Sequence, residues 1–326
     1  MPAPRNSDCN RSEVPHAKPN KVAVIGEFFI DEVFSEFNAL PRLGEECFAR
    51  RFQREVGGGA AITACGLAKL GTDVGVFGLV GRADGKWVID RLKSFDIDCS
   101  GLEFHPLEPT GITVSVSTRE DRAFFTYYGA NLPLEEMIRR PATSAALSRY
   151  SYVHFACAPD GETDGKLFRS LSRKARLSID VQSHMSWLTR PESLNILRHC
   201  AMFFPNEREG SWISAEIEPH EILLRLRDKG LRGVGLKLGG KGAALLWGRR
   251  QFLTDPLPVE TVDTTGAGDC FNAGFIFAQL RGDKPQRCLE VANICGALST
   301  RALGGIAAFP TLEELTEYEE QVEKGK

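Results

Sequence analysis

The sequence lacks any uncharged apolar run of about 20 residues, the length that a helix needs to cross a membrane. Its first twenty residues, Met1–Asn20, are polar and rich in proline, without the apolar centre of a signal peptide. These absences argue against a membrane-embedded or secreted protein. We expect a cytoplasmic protein with a flexible N-terminal extension over residues 1–20, followed by one folded unit over residues 21–326.

Clusters of metal-binding side chains are also missing. The nine cysteines are odd in number and never spaced like a zinc-binding pair, and the six histidines are equally dispersed. The cysteines therefore indicate reduced thiols, and a structural metal site is not expected. The formal net charge is −3 at pH 7, and no basic run alternates with aromatic residues, which argues against nucleic acid as a partner.

The most informative segment that the chain does contain is a run of small residues ahead of a helical pattern. Apolar and β-branched residues lead into Thr264–Asp269, after which Phe271, Phe275 and Ala278 recur at helical spacing. The pattern predicts that the apolar run ends in a loop of Gly and Ala, after which a helix begins.

The small residues of this loop suit an anion. Gly266, Ala267 and Gly268 would let backbone N–H groups converge on a ligand, and the positive end of the helix dipole adds to their field. Asp269 suggests a base that takes a proton from an attacking hydroxyl while the amides hold the developing charge. The alternative is an ordinary helix start with an acid in its first turn.

The full string over residues 263–269, DTTGAGD, is followed one turn later by the small pair Ala273-Gly274. Together they resemble the C-terminal signature of the ribokinase-like (PfkB) family of carbohydrate kinases. The resemblance implies ATP-dependent phosphorylation of a hydroxyl group. It assigns Asp269 the role of catalytic base and residues 266–268 that of the anion hole.

Short apolar runs alternate with helical patterns along most of the chain, beginning with Lys21–Gly26. This succession favours an α/β fold with a doubly wound, mainly parallel sheet flanked by helices. Two segments of different character, at about residues 32–54 and 108–130, interrupt it. Within the second, Gly111–Thr118 and Arg122–Tyr128 alternate at period two and predict a hairpin. We therefore expect a small β lid inserted into the main domain.

A second glycine-rich block, Gly57–Gly59, precedes a helix of small residues. A flexible loop beside a tightly packed helix is one interpretation, but the block also resembles the family's N-terminal signature, which implies substrate contacts at Gly57 and Gly58. The family position that usually holds a sugar-binding Asn is occupied by Ile62, which offers no hydrogen bond to a hydroxyl. Either Thr63 replaces that contact, or the substrate presents an apolar group there.

Asp31 lies five residues beyond Gly26, which ends the first apolar run. Ligands of open α/β sheets bind at this edge. The resemblance assigns Asp31 to hydrogen bonds with substrate hydroxyls, and a solvated loop acid is the alternative.

Several residues match family positions at the nucleotide. Asn206 and Glu209 form an Asn-x-x-Glu motif, which the resemblance connects with the phosphates of ATP and, indirectly through Glu209, with Mg²⁺. A glycine-containing turn follows a later strand pattern and is not a Walker P-loop. The resemblance places these further residues at the nucleotide: Lys237, Gly239, Gly242 and, near the adenine, Asn293.

The resemblance also implies a K⁺ site at Asp263 and Thr265, together with the loop at residues 302–305. Capping of the loop by the Asp263 side chain is the alternative.

We expect an ATP-dependent kinase that phosphorylates a hydroxymethyl group of a sugar or sugar-like small molecule, with ATP and Mg²⁺. A nucleoside kinase of the same superfamily is one alternative, because Phe28, Phe29 and Tyr127 could face an aromatic base and Ile62 is apolar. A catalytically degenerate sugar-binding protein is another, because the usual Asn is lost. Since the alternating lid segment would leave an apolar face or edge uncovered, a homodimer joined through the lid is a further expectation.

Overall fold

The computed structural model describes residues 21–37, 39–117, 122–159 and 161–324. The predicted N-terminal extension, residues 1–20, lies outside the described residues. The strands in chain order are β1 Lys21–Gly26, β2 Phe29–Ser35, β3 Arg51–Gly57, β4 Asp73–Gly81, β5 Asp98–His105, β6 Gly111–Ser117, β7 Arg122–Tyr127, β8 Tyr152–Ala156, β9 Arg176–Asp180, β10 Met202–Phe203, β11 Gly233–Lys237, β12 Ala243–Trp247 and β13 Arg250–Thr254. The α-helices are α1 Gly59–Lys69, α2 Gly85–Lys93, α3 Leu134–Arg139, α4 Pro141–Leu147, α5 Gly161–Leu171, α6 Met185–Leu188, α7 Ser193–Leu197, α8 Glu207–Ser214, α9 Pro219–Asp228, α10 Ala267–Arg281, α11 Pro285–Ser299 and α12 Leu312–Lys324.

Within the described residues, nine strands form one sheet in the order β13-β12-β11-β10-β9-β8-β1-β4-β5. Neighbours from β5 to β11 are parallel, whereas β12 is antiparallel to both β11 and β13. The chain leaves β1 for β4 on one side and later returns with β8 on the other. The strand order therefore reverses between β1 and β8, where ligands of doubly wound sheets bind outside the carboxyl ends. The predicted fold class is confirmed.

The sheet is buried on both faces, as the continuous apolar run of β1 predicts. Val22 and Val24 pack into a core that also contains buried residues of α1, α10 and α11. Ala23 and Ile25, which point to the opposite face, pack into a second core with buried residues of helices such as α5, α7 and α9. Helices thus cover both sides and leave the carboxyl edge of the sheet for loops.

Small residues let α1, α10 and α11 approach one another closely. A Cβ at Gly66 would lie 2.9 Å from Ala273 Cβ, and one at Gly274 would lie 2.8 Å from Cys295 Sγ. Cys65, Cys270 and Cys295 are buried free thiols in this layer. The tight helical layer fixes the position at which α10 begins.

Four described strands make a second, smaller sheet in the order β3-β2-β6-β7, in which β2 and β6 are parallel and the other pairs antiparallel. The predicted hairpin is β6–β7, with Ile112 opposite Tyr127. Its turn, residues 118–121, lies outside the described residues. Strand β2 begins at Phe29 and strand β3 ends at Gly57, so this pair extends beyond both ends of the insertion expected at about residues 32–54. No described helix is both long and apolar enough to span a bilayer.

Candidate active site

The loop before α10 requires glycine at the position where the helix begins. Gly266, the N-cap residue, has a left-handed backbone conformation (φ 72°), and a Cβ there would lie 2.8 Å from the Gly305 Cα and 2.8 Å from Ile62 Cδ1. Only glycine meets both constraints. Because α10 is 15 residues long, the amides of Ala267 and Gly268 stand at the positive end of a substantial helix dipole.

Asp269 lies in the first turn of α10 and is 9% exposed. Its Oδ1 accepts a hydrogen bond of 2.9 Å from Gln182 Nε2. Burial and the nearby Asp180 carboxylate raise the pKa of Asp269 to about 7, against the opposing effects of Lys237 and Gln182. The carboxyl group can therefore take up a proton near neutral pH.

Gln182 was not identified from the sequence. It follows β9 in a left-handed conformation (φ 52°), and so does Ser183 (φ 64°). The Asp180 Oδ1 accepts from the Gln182 backbone N–H at 3.0 Å, and Gly59 leaves room for the Gln182 side chain, since a Cβ there would lie 2.4 Å from it. This unusual backbone directs the carboxamide towards Asp269.

A buried ion pair lies beneath the loop. Lys237 Nζ donates to Asp180 Oδ2 at 2.6 Å, and Asn272 Nδ2 donates to the same oxygen at 2.7 Å. Burial alone would raise the pKa of Asp180, but Lys237 and the hydrogen bonds lower it below its usual value. A Cβ on Gly268 would lie 3.3 Å from Lys237 Nζ, so the ammonium group stands beside the start of α10 while it is paired with Asp180.

Asn206 and Glu209 form a reciprocal capping box at the start of α8. Asn206 Oδ1 accepts from the Glu209 N–H, and Glu209 Oε2 accepts from the Asn206 N–H, both at 2.9 Å. Glu209 Oε1 accepts from the Ser183 N–H at 3.0 Å, and burial together with Asp180 raises the pKa of Glu209. Both carboxylate oxygens are thus engaged by backbone, which suits an indirect role near a metal better than direct ligation.

One cavity of about 480 Å³ opens on the α10 side of the loop. Gly239 and Gly242 at its rim have left-handed backbone (φ 57° and 91°), and a Cβ at Gly242 would lie 2.1 Å from the Thr254 carbonyl oxygen. Asn293 Nδ2 donates to the Asp255 carbonyl at 2.9 Å. Around this cavity lie four of the predicted nucleotide residues, Lys237, Gly239, Gly242 and Asn293, together with Ala267 and Gly268 of the predicted anion hole. Asn206 and Glu209 are not among its described lining residues.

A second cavity of about 240 Å³ lies on the other side, between the main sheet and the small sheet. Asp31, Gly58, Ile62, Gly266 and Asp269 line it. Burial and the Asp269 carboxylate raise the pKa of Asp31 to about 7.

Two glycines leave room for the Asp31 carboxyl group and the backbone beside this smaller cavity. A Cβ at Gly57 would lie 2.0 Å from the Asp31 carboxyl carbon, and Gly58 has φ 85°. Phe29 lines the cavity, whereas Phe28 is fully buried in the core.

Thr63 is placed differently from the expectation. Its side chain is fully buried, and its hydroxyl donates to the Asp269 carbonyl at 3.3 Å. Ile62 lines the cavity instead, because successive residues of a helix point about 100° apart. Thr63 therefore lies behind Asp269 and is not among the described residues that line the cavity.

Asp263 ties two loops together. Its Oδ1 accepts from the N–H and hydroxyl of Thr265 at 2.9 and 2.7 Å, and its Oδ2 accepts from the Gly304 N–H at 2.9 Å. Both oxygens are already satisfied by protein donors, as the capping alternative expects. In the described part of the chain, no three His, Cys, Asp or Glu side chains are grouped to hold a metal ion.

The sequence matches a known family over most of its length. A family model for pfkB family carbohydrate kinases matches residues 19–312. A 2-dehydro-3-deoxygluconokinase of Bacillus subtilis is 28% identical over 291 residues, which cover 82% of this chain and 87% of the relative. A ribokinase of the same organism is 27% identical over 301 residues, which cover 91% and 98%.

Solved structures share the fold. A ribokinase II candidate from E. coli in complex with ATP and Mg²⁺ is 25% identical with a TM-score of 0.77, and the match covers 93% of this chain and 99% of that one. Arabidopsis thaliana ribokinase complexed with ribose and ATP is 24% identical with a TM-score of 0.77, over 92% and 98% of the two chains.

Proposed function

The chain belongs to the pfkB family of carbohydrate kinases, and from that premise we propose that it transfers the γ-phosphoryl group of ATP to a hydroxymethyl group of an uncharged sugar. The observation that carries the proposal is that four consecutive residues, 266–269, between them line both cavities. Ala267 and Gly268 line the larger cavity, and Gly266 and Asp269 line the smaller. A phosphoryl group can pass between two ligands only where their sites adjoin in this way.

The proposed reaction is an in-line displacement. Asp269 accepts the proton of the acceptor hydroxyl as its oxygen forms a bond to the γ-phosphorus and the bond to the bridging oxygen of ADP breaks. The amides at residues 266–268 hold the charge on the transferring group. Lys237, held by Asp180 beside Gly268, adds positive charge on the nucleotide side.

ATP and Mg²⁺ fit the donors present. Asn206 and Glu209 are both fixed by their capping box. The Asn206 amide would donate to phosphate, and the Glu209 carboxylate would accept from water around the ion rather than ligate the ion directly. Bound Mg²⁺ would neutralise phosphate charge during transfer. The proposed site includes no K⁺, because Asp263 already accepts three hydrogen bonds from protein groups.

The charge of the smaller cavity supports an uncharged substrate. Glu27, Asp31 and Asp269 contribute carboxyl groups to its described lining, which contains no Lys, Arg or His. An acidic sugar or sugar phosphate would place like charge beside these groups, at a cost of several kcal/mol. The volume of about 240 Å³ lies below the roughly 300–1,000 Å³ of drug-sized sites and suits a monosaccharide.

A substrate panel tests this proposal. With ATP and Mg²⁺, ADP formation is measured for ribose, 2-deoxyribose and fructose, for nucleosides, and for 2-dehydro-3-deoxygluconate. We expect kcat/KM for a neutral sugar to exceed that for the acid by at least about 100-fold. A preference for the acid would overturn the substrate class, and absence of ADP formation with every acceptor would overturn the kinase proposal.

Nucleosides are the second candidate acceptor, because a further cavity of about 260 Å³ shares Glu27 with the smaller of the two cavities described above. Tyr128 and Trp187 line it and could face a base. In the panel, a nucleoside preferred over its free sugar would favour this alternative.

Gln182 provides a test of the base. Its hydrogen bond favours the charged form of Asp269, so Gln182→Leu is expected to raise the pKa of Asp269 further above its usual range. The acidic limb of the kcat/KM profile, near pH 7 in the wild type, should move to higher pH, and most of the lost activity should return in alkali.

Gln182→Glu is the companion variant, since a second carboxyl group would move the limb the same way and further. An unchanged profile in both variants would contradict the assigned contact between Gln182 and the base.

We also propose that the small sheet closes over the acceptor and joins two copies of the chain. Asp31, Val33, Thr113 and Phe124 bring it to the wall of the smaller cavity. Elsewhere on this sheet and its loop, large apolar side chains are exposed, among them Phe48 (78%) and Phe125 (68%). A second copy would cover them.

A further inference from the structure

A large cleft of about 850 Å³ lies at the opposite edge of the main sheet from the two cavities described above. Ser151, Arg176 and Arg232 line it immediately before or at the first residues of β8, β9 and β11. The proposed reaction takes place at the other ends of these strands, where Asp180 and Lys237 lie. The cleft therefore cannot be part of the acceptor or nucleotide site.

The described lining of the cleft is cationic. Its charged members are Arg173, Lys174, Arg176, Arg198 and Arg232, His199 is its further titratable group, and neither Asp nor Glu is among its residues. The whole chain has 43 acidic and 40 basic residues, so a surface of average composition would mix both signs. A one-signed concave surface concentrates potential and attracts anions.

Helix ends account for only part of this charge. Arg173, Lys174 and Arg198 come within three residues of the ends of α5 and α7, where cations stabilise the helix dipole. Arg176 and Arg232 belong to strand starts, beyond the reach of that effect. Within the described residues, the guanidinium groups of Arg176 and Arg232 donate no hydrogen bond and form no ion pair.

A buried amide in the wall points to a ligand as well. Gln279 of α10 lines the cleft and is 8% exposed, and its Oε1 is buried without a hydrogen-bond partner among the described residues. Buried polar atoms are rarely left unpaired. Rotation of the carboxamide would offer this acceptor to a hydroxyl group in the cleft.

We propose that this cleft binds the phosphate ester of a small polyhydroxy compound. Arg176 and Arg232 would hold the phosphate, since the planar guanidinium fork matches its oxygens. Gln279 would accept from a hydroxyl. The site is separate from catalysis, although β9 connects it over four residues, about 13 Å, with Asp180.

Isothermal titration of the full chain with ribose 5-phosphate tests the site. The variants are Arg176→Ser/Arg232→Ser and a control of equal charge loss, Arg50→Ser/Arg249→Ser, whose side chains are exposed and outside the lining. Since all four arginines are exposed, all variants should keep the wild-type unfolding temperature and basal turnover. We expect the cleft variant to lose at least tenfold in affinity for one class of site, while the control binds as the wild type does.

The acidic lining of the acceptor cavity disfavours a sugar phosphate, so turnover with a neutral sugar, unchanged in every variant, serves as the internal reference. Identical isotherms for the wild type and the cleft variant would overturn the proposal, as would equal losses in the control. Arg173→Ser/Arg232→Ser gives a second cleft variant should the first unfold. Inorganic phosphate and free ribose, titrated alone, should each bind the cleft more weakly than the ester; equal binding of phosphate would overturn the role of the hydroxyl groups.

Discussion

Replacing Asp269 with asparagine is expected to lower kcat by roughly 10²- to 10⁴-fold, the usual contribution of a positioned general base. The amide keeps the size of the side chain but cannot take the proton of the acceptor hydroxyl. The anion site consists of backbone at residues 266–268 and is unchanged, so the Kd of ATP should stay within a few fold. Steady-state turnover and equilibrium titration with a nonreactive ATP analogue measure the two quantities.

A measurement of stability shows whether Asp269→Asn loses turnover because the base is absent or because the protein unfolds. The pKa of Asp269 is raised to about 7, so the folded state binds more protons than the unfolded chain between about pH 4 and pH 7. The carboxyl group therefore costs stability as the pH rises through that window. Asp269→Asn should equal or exceed the wild type in stability at pH 8, as measured by urea unfolding.

The control is Asp228→Asn, which removes an exposed carboxylate on α9 and should change neither turnover nor stability appreciably. Turnover of Asp269→Asn near that of the wild type would remove Asp269 from the role of base.

Much of the fold could be predicted from the spacing of apolar residues and the position of turn residues. The run Lys21–Gly26 is apolar at every interior position because the strand is buried on both faces, and that continuity distinguishes it from the alternating hairpin β6–β7. Strand β2 is less readable, because Asp31 and Glu32 interrupt its apolar residues. Asp31 lines the smaller cavity, and Glu32 forms a salt bridge with Arg54. These two polar contacts explain why the strand departs from the apolar pattern.

The residues that tune the candidate base could not be recovered in the same way. Asp180 and Asn272 meet across 92 positions of sequence, and Gln182 reaches Asp269 across 87. Each is an ordinary polar residue at the end of a strand or inside a helix. The available signal was position: Asp180 ends β9 and Gln182 follows it, at the carboxyl edge of the sheet where ligands of such folds bind.

Breaking the buried pair beneath the loop should have the largest effect on folding. Lys237→Met would leave the Asp180 carboxylate, about 5% exposed, without its counter-ion and is expected to cost about 3–5 kcal/mol of unfolding free energy. The exposed pair Lys241–Glu207, with side chains 71% and 36% accessible, provides the matched control. Lys241→Met should cost less than about 1 kcal/mol. Urea unfolding at pH 7 measures both.

The double variant Asp180→Asn/Lys237→Met decides whether the cost arises from an uncompensated charge. Asparagine keeps one acceptor, for the Gln182 N–H, and presents its NH2 group to Asn272, whose carboxamide can rotate so that its oxygen accepts. Most of the stability lost in Lys237→Met should therefore return. Additive losses would contradict the charge argument.

The pKa of Asp180 is lowered by the pair, so the contribution of the pair to wild-type stability persists above about pH 4 and fades as the pH falls below it. Turnover should remain low in the double variant, because a neutral thioether side chain cannot stand in for an ammonium beside Gly268; recovery of stability without recovery of turnover would assign Lys237 to the phosphoryl site as well as to the fold.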